Sequence, residues 1–556
     1  MKRRNLRDTT AEAVSVDIEA YRLTGSWLFR LPWHWISAAM LFCAALCLNL
    51  YRLGEPSIWF DEAFSVELAR QPLPLLWQII FGPEPNMELY YLFLHYWLGF
   101  TGWLGWLPVE AVVRLPSAVF AALSTVVVFL IARRFVKLPA AILAAVLYLS
   151  NNLQLVYAQQ ARSYAMELLF ICLAWYALLR ILTDELVRIR LWVAWIVYVL
   201  AITLAVYAHL FSLFILLAQY VALALLATLP GPWRERVRAR LGAALLGLFA
   251  IVLLIVPMLL ESLHGSKTSW LPVASVSELR QFVVTFSGSS EGYALSIALC
   301  FVIAILVAVL SLTTPAALSR IFARQSWLRR VLQRLSGSRL VVWLLLCWFF
   351  VPLLVSYGIS YSPLHIFSTR YLVVLLPPLF LLVAIGVSAL PWRFLQTVVS
   401  LLLLVQSFVT VPLYYQSAQV EDWNSTTHWL LKRYQEDDGL VCYDNEISQG
   451  CQISVEYYLH AYASATKPVQ FTTDSPGAFS WRNYGPVDPD AGFTAALQPS
   501  ALAAYGAKHD RFFFIVGRAP EGSAQSLQVA QSWLDQHYQL IDQINTRTVV
   551  IRLYHT

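Results

Sequence analysis

Tyr51-Arg-Leu-Gly-Glu-Pro-Ser-Ile-Trp-Phe-Asp-Glu-Ala-Phe-Ser65 puts two adjacent carboxylates, Asp61 and Glu62, directly behind the first long apolar run, residues 33–53. A carboxylate costs roughly 2.5–3.5 kcal/mol at the centre of a membrane helix and less at the interface. A pair placed there therefore needs a reason. One is simple solvation in the loop after a first span. The other is chemistry, because a carboxylate is a common general base for activating a hydroxyl. The two residues alone leave both readings open, and the rest of the chain has to decide.

Composition fixes the class. The 556 residues are 59% hydrophobic and only 13% charged, against about 25% charged in soluble domains. Apolar runs of about 18–22 residues recur, long enough to cross a hydrocarbon core. This pattern is that of an α-helical polytopic membrane protein in contact with membrane lipids. Lys and Arg gather in short loops, so the net charge of +6 reflects topology, and no nucleic-acid partner is expected.

Spans are predicted near 33–53, 111–132, 138–156, 162–182, 191–208, 210–229, 241–260, 293–313, 340–359, 370–390 and 394–413. Residues 1–32 read as a cytosolic N-terminal segment, followed by a signal anchor with no small-residue cleavage site. With that parity the cytosolic connections are Arg133-Arg134-Phe-Val-Lys137, Arg180 to Arg190, Arg234-Glu-Arg-Val-Arg-Ala-Arg240, Arg320 to Arg339 and Trp392-Arg393. Every one is basic, as the positive-inside rule requires. Glu88 to Phe100 is apolar, yet counting it as a crossing would invert every later loop. Residues 54–110 are therefore expected to form a long first external loop whose helices lie along the outer leaflet.

After about residue 415 the chain turns polar. Gly439 to Tyr443, Arg511 to Val516 and Thr548 to Tyr554 read as strands and Ala524 to His537 as a helix. The expected organisation is a transmembrane domain over 33–415 and a soluble, extracytoplasmic α/β domain over 416–556. Five of the seven cysteines lie in apolar spans. Cys442 and Cys451 lie outside, where oxidation is permitted, and the sequence leaves their pairing open. There is no zinc-ligand spacing and no phosphate-cradling glycine loop.

The unusual polar residues fall at outer span ends: Asp61-Glu62, Asn86-Met-Glu88, Arg114, Gln159-Gln160-Ala-Arg162-Ser-Tyr164, His209 and Arg370-Tyr371. Glu88, Tyr91 and His95 share one helical face. Arg114, Arg162 and Arg370 at one depth would form a positive pocket, and a guanidinium fork matches phosphate. The competing account is that each arginine reaches singly for lipid headgroups.

Trp59-Phe-Asp-Glu-Ala63, Asn86-Met-Glu-Leu-Tyr-Tyr-Leu-Phe-Leu-His-Tyr-Trp97, Val113-Arg-Leu-Pro-Ser117, Ala158-Gln-Gln-Ala-Arg-Ser-Tyr164 and Thr369-Arg-Tyr371 with Pro377-Pro378 resemble the GT-C glycosyltransferases. The nearest branch is the bacterial one related to protein O-mannosyltransferases, aminoarabinose transferases and rhizobial lipopolysaccharide transferases. The similarity spans roughly residues 30–415. It implies a polyprenyl-phosphate sugar as donor, a glycan, lipid or protein hydroxyl as acceptor, and a place in the bacterial cell (inner) membrane. It further implies Asp61 as catalytic base or acceptor ligand with Glu62 in support, and Arg114, Arg162 and Arg370 on the donor phosphate. Asn86, Glu88, Tyr91, His95, Gln159, Tyr164, His209 and Tyr371 are the accompanying substrate-binding candidates. Asn86-Met-Glu-Leu departs from the His/Lys-Pro-Pro-Leu of many relatives. Some relatives use a divalent cation and others none, so the metal stays open. A transporter or flippase of lipid-linked glycans is the alternative, but such proteins carry their charges near the bilayer midplane.

The parity argument makes a direct prediction. Alkaline phosphatase fused after Thr556 is expected to be active and a fusion after Arg134 inactive. The opposite pattern would move Asp61 to the cytosol.

Overall fold

The computed structural model describes residues 33–228, 233–262, 273–310, 339–444, 447–462, 469–518 and 525–556. The predicted N-terminal segment 1–32 and nearly all of the Arg320 to Arg339 loop lie outside the described residues. Apolar runs become helices because a backbone in hydrocarbon must satisfy its own N–H and C=O groups. Helix α1 (Trp33–Leu50) leads into three short helices, α2 (Phe60–Arg70), α3 (Leu73–Ile80) and α4 (Glu88–Phe100). Then follow α5 (Val109–Ala132), α6 (Leu138–Leu149), α7 (Asn152–Ala158), α8 (Tyr164–Thr183), α9 (Arg188–Ala208), α10 (Ser212–Thr228) and α11 (Trp233–Ser262). The membrane part closes with α12 (Val276–Phe286), α13 (Glu291–Leu310), α14 (Arg339–Ile359), a 3₁₀ turn (Tyr371–Leu375) running into α15 (Leu376–Ala389), and α16 (Arg393–Ser417).

A helix stands at every predicted span position. Eight are long and apolar enough to cross a membrane as single elements, and two bent pairs, α6–α7 and α12–α13, raise that number to ten. Helix α10 is shorter, at 17 residues. Helix α4 has 13 residues, too few to cross a core of roughly 30 Å, in keeping with its predicted place in the loop.

One expectation is corrected by a bend. The run predicted as one span over 138–156 turns by 61° between α6 and α7; a second break, where α12 meets α13 at 98°, was not anticipated. The two breaks support each other. Asn151 caps α7 by accepting from the Leu153 amide, while its Nδ2 donates to the Phe286 carbonyl at 2.6 Å. Gly288 sits at φ +60°, where a Cβ would lie 2.7 Å from Asn152 Nδ2 and from Thr410 Cβ. Only glycine lets the second break approach the first so closely.

The C-terminal region comprises α17 (Trp423–Arg433), β1 (Gly439–Asp444), α18 (Gly450–Tyr462), a small hairpin of β2 (Phe479–Ser480) and β3 (Gly485–Pro486), α19 (Pro499–Gly506), β4 (Arg511–Gly517), α20 (Gln525–His537), β5 (Gln539–Asn545) and β6 (Val549–His555). The main sheet has the order β1-β4-β6-β5, with β1 parallel to β4 and the other pairings antiparallel. Three strands match the predicted ones. Strand β5 was not legible, because it is a largely exposed edge of sequence Gln539-Leu-Ile-Asp-Gln-Ile-Asn545, interrupted by a bulge at Leu540/Asp542. Such edges tolerate polar residues and carry little apolar pattern.

This region is clamped onto the first loop. Glu421 accepts from the Phe60 amide (3.0 Å), from Trp423 Nε1 (2.6 Å) and from Arg518 Nη2 (2.7 Å), and Arg518 lies over the Phe60 ring. Tyr458 accepts from the Ile58 amide (2.8 Å) and donates to Glu110 (2.9 Å). Glu67, wholly buried on α2, takes Arg70 (2.6 Å) and His460 of α18 (2.7 Å). The structure also settles the cysteine question: Cys442 and Cys451 form a disulfide between the end of β1 and the start of α18.

Closing a loop that short is worth about 2–3 kcal/mol by chain entropy. Dithiothreitol is expected to lower the unfolding midpoint of the C-terminal region, and the Cys442→Ser/Cys451→Ser variant to be less stable and indifferent to reductant. An unchanged midpoint on reduction would contradict this.

Candidate active site

Asp61 and Glu62 open α2, where the exposed amides of a helix start favour negative charge. The preceding residue Trp59 is extended (φ −109°, ψ 167°) and offers no side-chain cap. Neighbours in a helix point about 100° apart, and here they meet different surroundings.

Glu62 is completely buried and receives a two-pronged contact from Arg114, Nε to Oε1 at 2.8 Å and Nη2 to Oε2 at 2.7 Å, plus the Ala161 amide at 2.7 Å. Arg114, on α5, spends its remaining donors on carbonyls: Leu53 (3.1 Å) and Pro56 (2.7 Å) from Nη1, and Ser57 (3.1 Å) from Nη2. A guanidinium has five N–H groups, and all five are engaged. The expectation that Arg114 holds the donor phosphate is therefore corrected. Its task is to fix residues 53–57 and the start of α2 against the bundle, and no donor remains for a phosphate.

Asp61 faces the other way. Its Oδ2 lies 3.1 Å from Arg370 Nη1 and 3.9 Å from Arg162 Nη2. Arg162 also donates to the Asp61 carbonyl (3.1 Å) and to Ser65 Oγ (3.0 Å), while its Nε is buried without a partner. Arg162 sits in the irregular stretch between α7 and α8, held by the Ala161 contact to Glu62 and by Ser117 of α5 donating to the Arg162 carbonyl. Arg370 immediately precedes the 3₁₀ turn. Two guanidinium groups thus face one carboxylate.

Aromatic and imidazole rings enclose this cluster. Tyr157 and Tyr164 have ring centres 4.5 Å apart at a tilt of 53°, Tyr164 lies 5.4 Å from His209, and His209 lies 5.0 Å from Tyr371. Tyr91 of α4 is buried close enough to feel both Arg162 and Asp61. His209 occupies the turn between α9 and α10. Its Nδ1 accepts from the Phe211 amide at 3.1 Å, so the neutral ring carries its proton on Nε2. Burial, then Arg162 and Arg370, drives its pKa down to about 3. Nε2 is buried with no hydrogen-bond partner.

Other candidates do structural work. Asn86 Oδ1 accepts from the Leu210 amide (3.1 Å) and so anchors the His209 turn. Gln159 donates to the Asn49 and Tyr51 carbonyls (2.9 and 2.8 Å) and accepts from Tyr414 (2.9 Å). His95 bonds the Ala69 carbonyl (2.7 Å), joining α4 to α2. Both side-chain polar atoms of Gln159 are thus engaged within the protein, while Asn86 and His95 each commit one of theirs to backbone. Glu88 is buried with neither carboxyl oxygen bonded, and burial followed by Glu261 raises its pKa to about 8; no contact links it to Asp61. Sequence reasoning missed Tyr157 and Ser65. Ser65 stands one helical turn after Asp61, a legible spacing, whereas Tyr157 reaches the cluster only through the break at 159–163.

Among the described residues no three His, Cys, Asp or Glu side chains gather as a metal-ligand set. Asp61 between two guanidinium groups is a poor donor set for a dication.

The architecture is that of the GT-C membrane fold. No protein-family model matches the sequence, and no curated protein is similar to it at the sequence level. Solved structures share the fold. ArnT from Cupriavidus metallidurans bound to undecaprenyl phosphate superposes with a TM-score of 0.55 at 12% identity, covering 93% of this chain and 98% of that one. The apo state of the same protein gives 0.57 at 12% identity, over 93% and 97%. The archaeal oligosaccharyltransferase AglB from Archaeoglobus fulgidus, in complex with an inhibitory peptide and a dolichol-phosphate, gives 0.51 at 12% identity, over 91% of this chain and 72% of that one.

Removing one partner of a buried ion pair costs about 3–5 kcal/mol because the other charge is stranded. Arg114→Met is therefore expected to lower folded yield and unfolding temperature sharply, and Glu62→Leu/Arg114→Met to recover part of the loss. A normally folded Arg114→Met with only a raised donor KM would restore the phosphate role.

Proposed function

We propose that this multi-pass membrane protein is a glycosyltransferase that moves a sugar from a polyprenyl-phosphate donor to an acceptor hydroxyl on the extracytoplasmic face. The observation that carries the reading is Asp61 set against Arg162 and Arg370 inside a ring of tyrosines and His209. The neighbours in fold add weight, one bound to undecaprenyl phosphate and one to a dolichol-phosphate.

In this reading Asp61 accepts the proton of the attacking hydroxyl. The oxygen forms its bond to the anomeric carbon as the carbon–oxygen bond to phosphate breaks, and the electron pair leaves with the phosphate. Arg162 and Arg370, which contact Asp61 in this structure, stabilise the charge that collects there. His209 contributes a neutral Nε2–H donor to the same space. Glu62 and Arg114 take no part in proton or phosphate handling; they hold Asp61 in place. One base and one attacking hydroxyl give a single displacement, and the product has inverted anomeric configuration.

Asp61→Asn keeps the shape and removes the proton acceptor, so transfer in membrane fractions supplied with radiolabelled polyprenyl-phosphate sugars is expected to fall by at least about 10². Arg162→Ala or Arg370→Ala loses a charge-assisted contact of about 1.5–3 kcal/mol and raises the apparent donor KM about 10- to 150-fold, with lysine restoring it only in part. Near-wild-type turnover by Asp61→Asn, or a product of retained configuration, would defeat the assignment.

A further inference from the structure

Glu67 stands six residues beyond Asp61 on α2, about 9 Å further along the same helix, and is wholly enclosed. Its two carboxyl oxygens are held from different places. Arg70, of the same helix, reaches Oε1 at 2.6 Å, and His460 of α18 reaches Oε2 through Nδ1 at 2.7 Å. The second contact joins two regions of the protein. The His460 side chain is 56% exposed, so its protonation follows the surrounding solution, while the acid it holds does not meet water. A neutral imidazole can still donate one N–H to Glu67. What deprotonation removes is the charge opposite an enclosed carboxylate.

Glu456, one helical turn before His460 on α18, accepts from Gln452 at 2.7 Å and interacts with both Glu67 and His460. The charges that act on His460 are thus Glu67 and Arg70 from α2 and Glu456 from its own helix. Elsewhere against α18, Glu110 of α5 is taken by Tyr458, and His428 of α17 stacks on Tyr462. The hydrogen bond to Glu67, against the cost of burial, holds the His460 pKa above its ordinary 6.5. Burial, opposed by Gln452 and aided by Glu67, pushes Glu456 from 4.5 up to about 7. Both groups therefore bind their protons more tightly with the contact made than with it broken. The contact is complete below about 4.5, loosens as Glu456 ionises towards 7, and loosens further above 6.5 as His460 gives up its proton. At the acid end two cations surround the enclosed Glu67. At the alkaline end Arg70 alone faces two carboxylates.

We propose that the His460–Glu67 contact is a pH-sensitive latch on α2, closed while His460 carries its proton, and that His460 is a positioning residue for Asp61. The inference rests on the transferase reading above and adds its regulation. With the latch closed, α18 holds the later turns of α2 while Arg114 holds its start through Glu62. With it open, Glu67 keeps Arg70 alone, a partner from its own helix that ties α2 to nothing else. No proton of the reaction passes through His460.

The test uses the full chain in phosphatidylglycerol nanodiscs. It reads hydrogen–deuterium exchange over residues 60–70 at pH 5.5 and 8.5, corrected for the intrinsic pH dependence of amide exchange. Wild type is expected to exchange about 2- to 5-fold faster at pH 8.5, the scale of a solvent-exposed ion pair. His460→Gln, never charged, exchanges fast at both values and loses most of the difference. His460→Lys, charged throughout, stays slow at pH 8.5. Transfer follows the same pattern in kcat with donor KM unchanged, because the latch places the base and touches no donor. Equal wild-type exchange at the two pH values overturns the proposal. So does a His460→Gln variant that keeps the wild-type difference, or a His460→Lys variant that exchanges like His460→Gln. The exchange readout needs no turnover. An inactive protein with a pH-dependent α2 would sink the transferase reading and leave the latch, and an active protein with a pH-indifferent α2 would do the reverse.

Discussion

Glu62 and Arg114 meet in a fully enclosed, two-pronged ion pair, and the end of the membrane domain next to the C-terminal region is arranged around it. Arg114 comes from the first turns of α5, Glu62 from α2, and the shared contacts reach the backbone at Leu53, Pro56, Ser57 and Ala161. Three stretches far apart in sequence, residues 53–62, Arg114 and Ala161, are thus fixed to one point. Taking both charges out of water is costly, and the pair persists because every donor of the guanidinium is used and the carboxylate receives three bonds. A buried pair so complete does little for net stability, but it fixes position. The position it fixes is that of Asp61.

The division of labour between adjacent acids follows from helical geometry. With side chains about 100° apart, Glu62 turns into the protein while Asp61 turns into a chamber shared with Arg162, Arg370, His209 and tyrosines. The arginines that meet Asp61 come from irregular backbone at 159–163 and at the entry to a 3₁₀ turn, not from regular helix. Non-helical backbone at such a depth survives only where protein covers it, and here Ser117 and Glu62 supply that cover. Buried rings around the cluster lower the local dielectric, which strengthens every charge interaction within it.

The C-terminal region extends the same constraint. Glu421, Arg518, Tyr458 and His460 all reach α2 or the residues just before it. The sheet that carries Arg518 and the disulfide-linked helix that carries Tyr458 and His460 therefore brace the helix bearing Asp61 from outside, while Arg114 braces it from within. The chemistry proposed for Asp61 depends on this double support, since proton transfer tolerates little error in the placement of the base.

Much of this was determined by the sequence alone. Apolar runs of span length and a polar tail with strand-like stretches identify a polytopic protein with a C-terminal α/β region, because lipid leaves a backbone few options. The acidic pair, Arg162, Arg370, Tyr164, His209 and Tyr371 stood out because polar groups at span ends need a cause. Tertiary structure alone decided which partners each one meets. Arg114, read as a phosphate ligand, has all its donors committed. Asn86, Gln159 and His95 bond backbone groups that only the fold brings near. Tyr157 joins the cluster through a break that periodicity does not reveal, and the bends at 150–151 and 287–290 arise from contacts between one another. Residue type fixes how many hydrogen bonds a side chain can make; only three-dimensional packing settles which partners claim them.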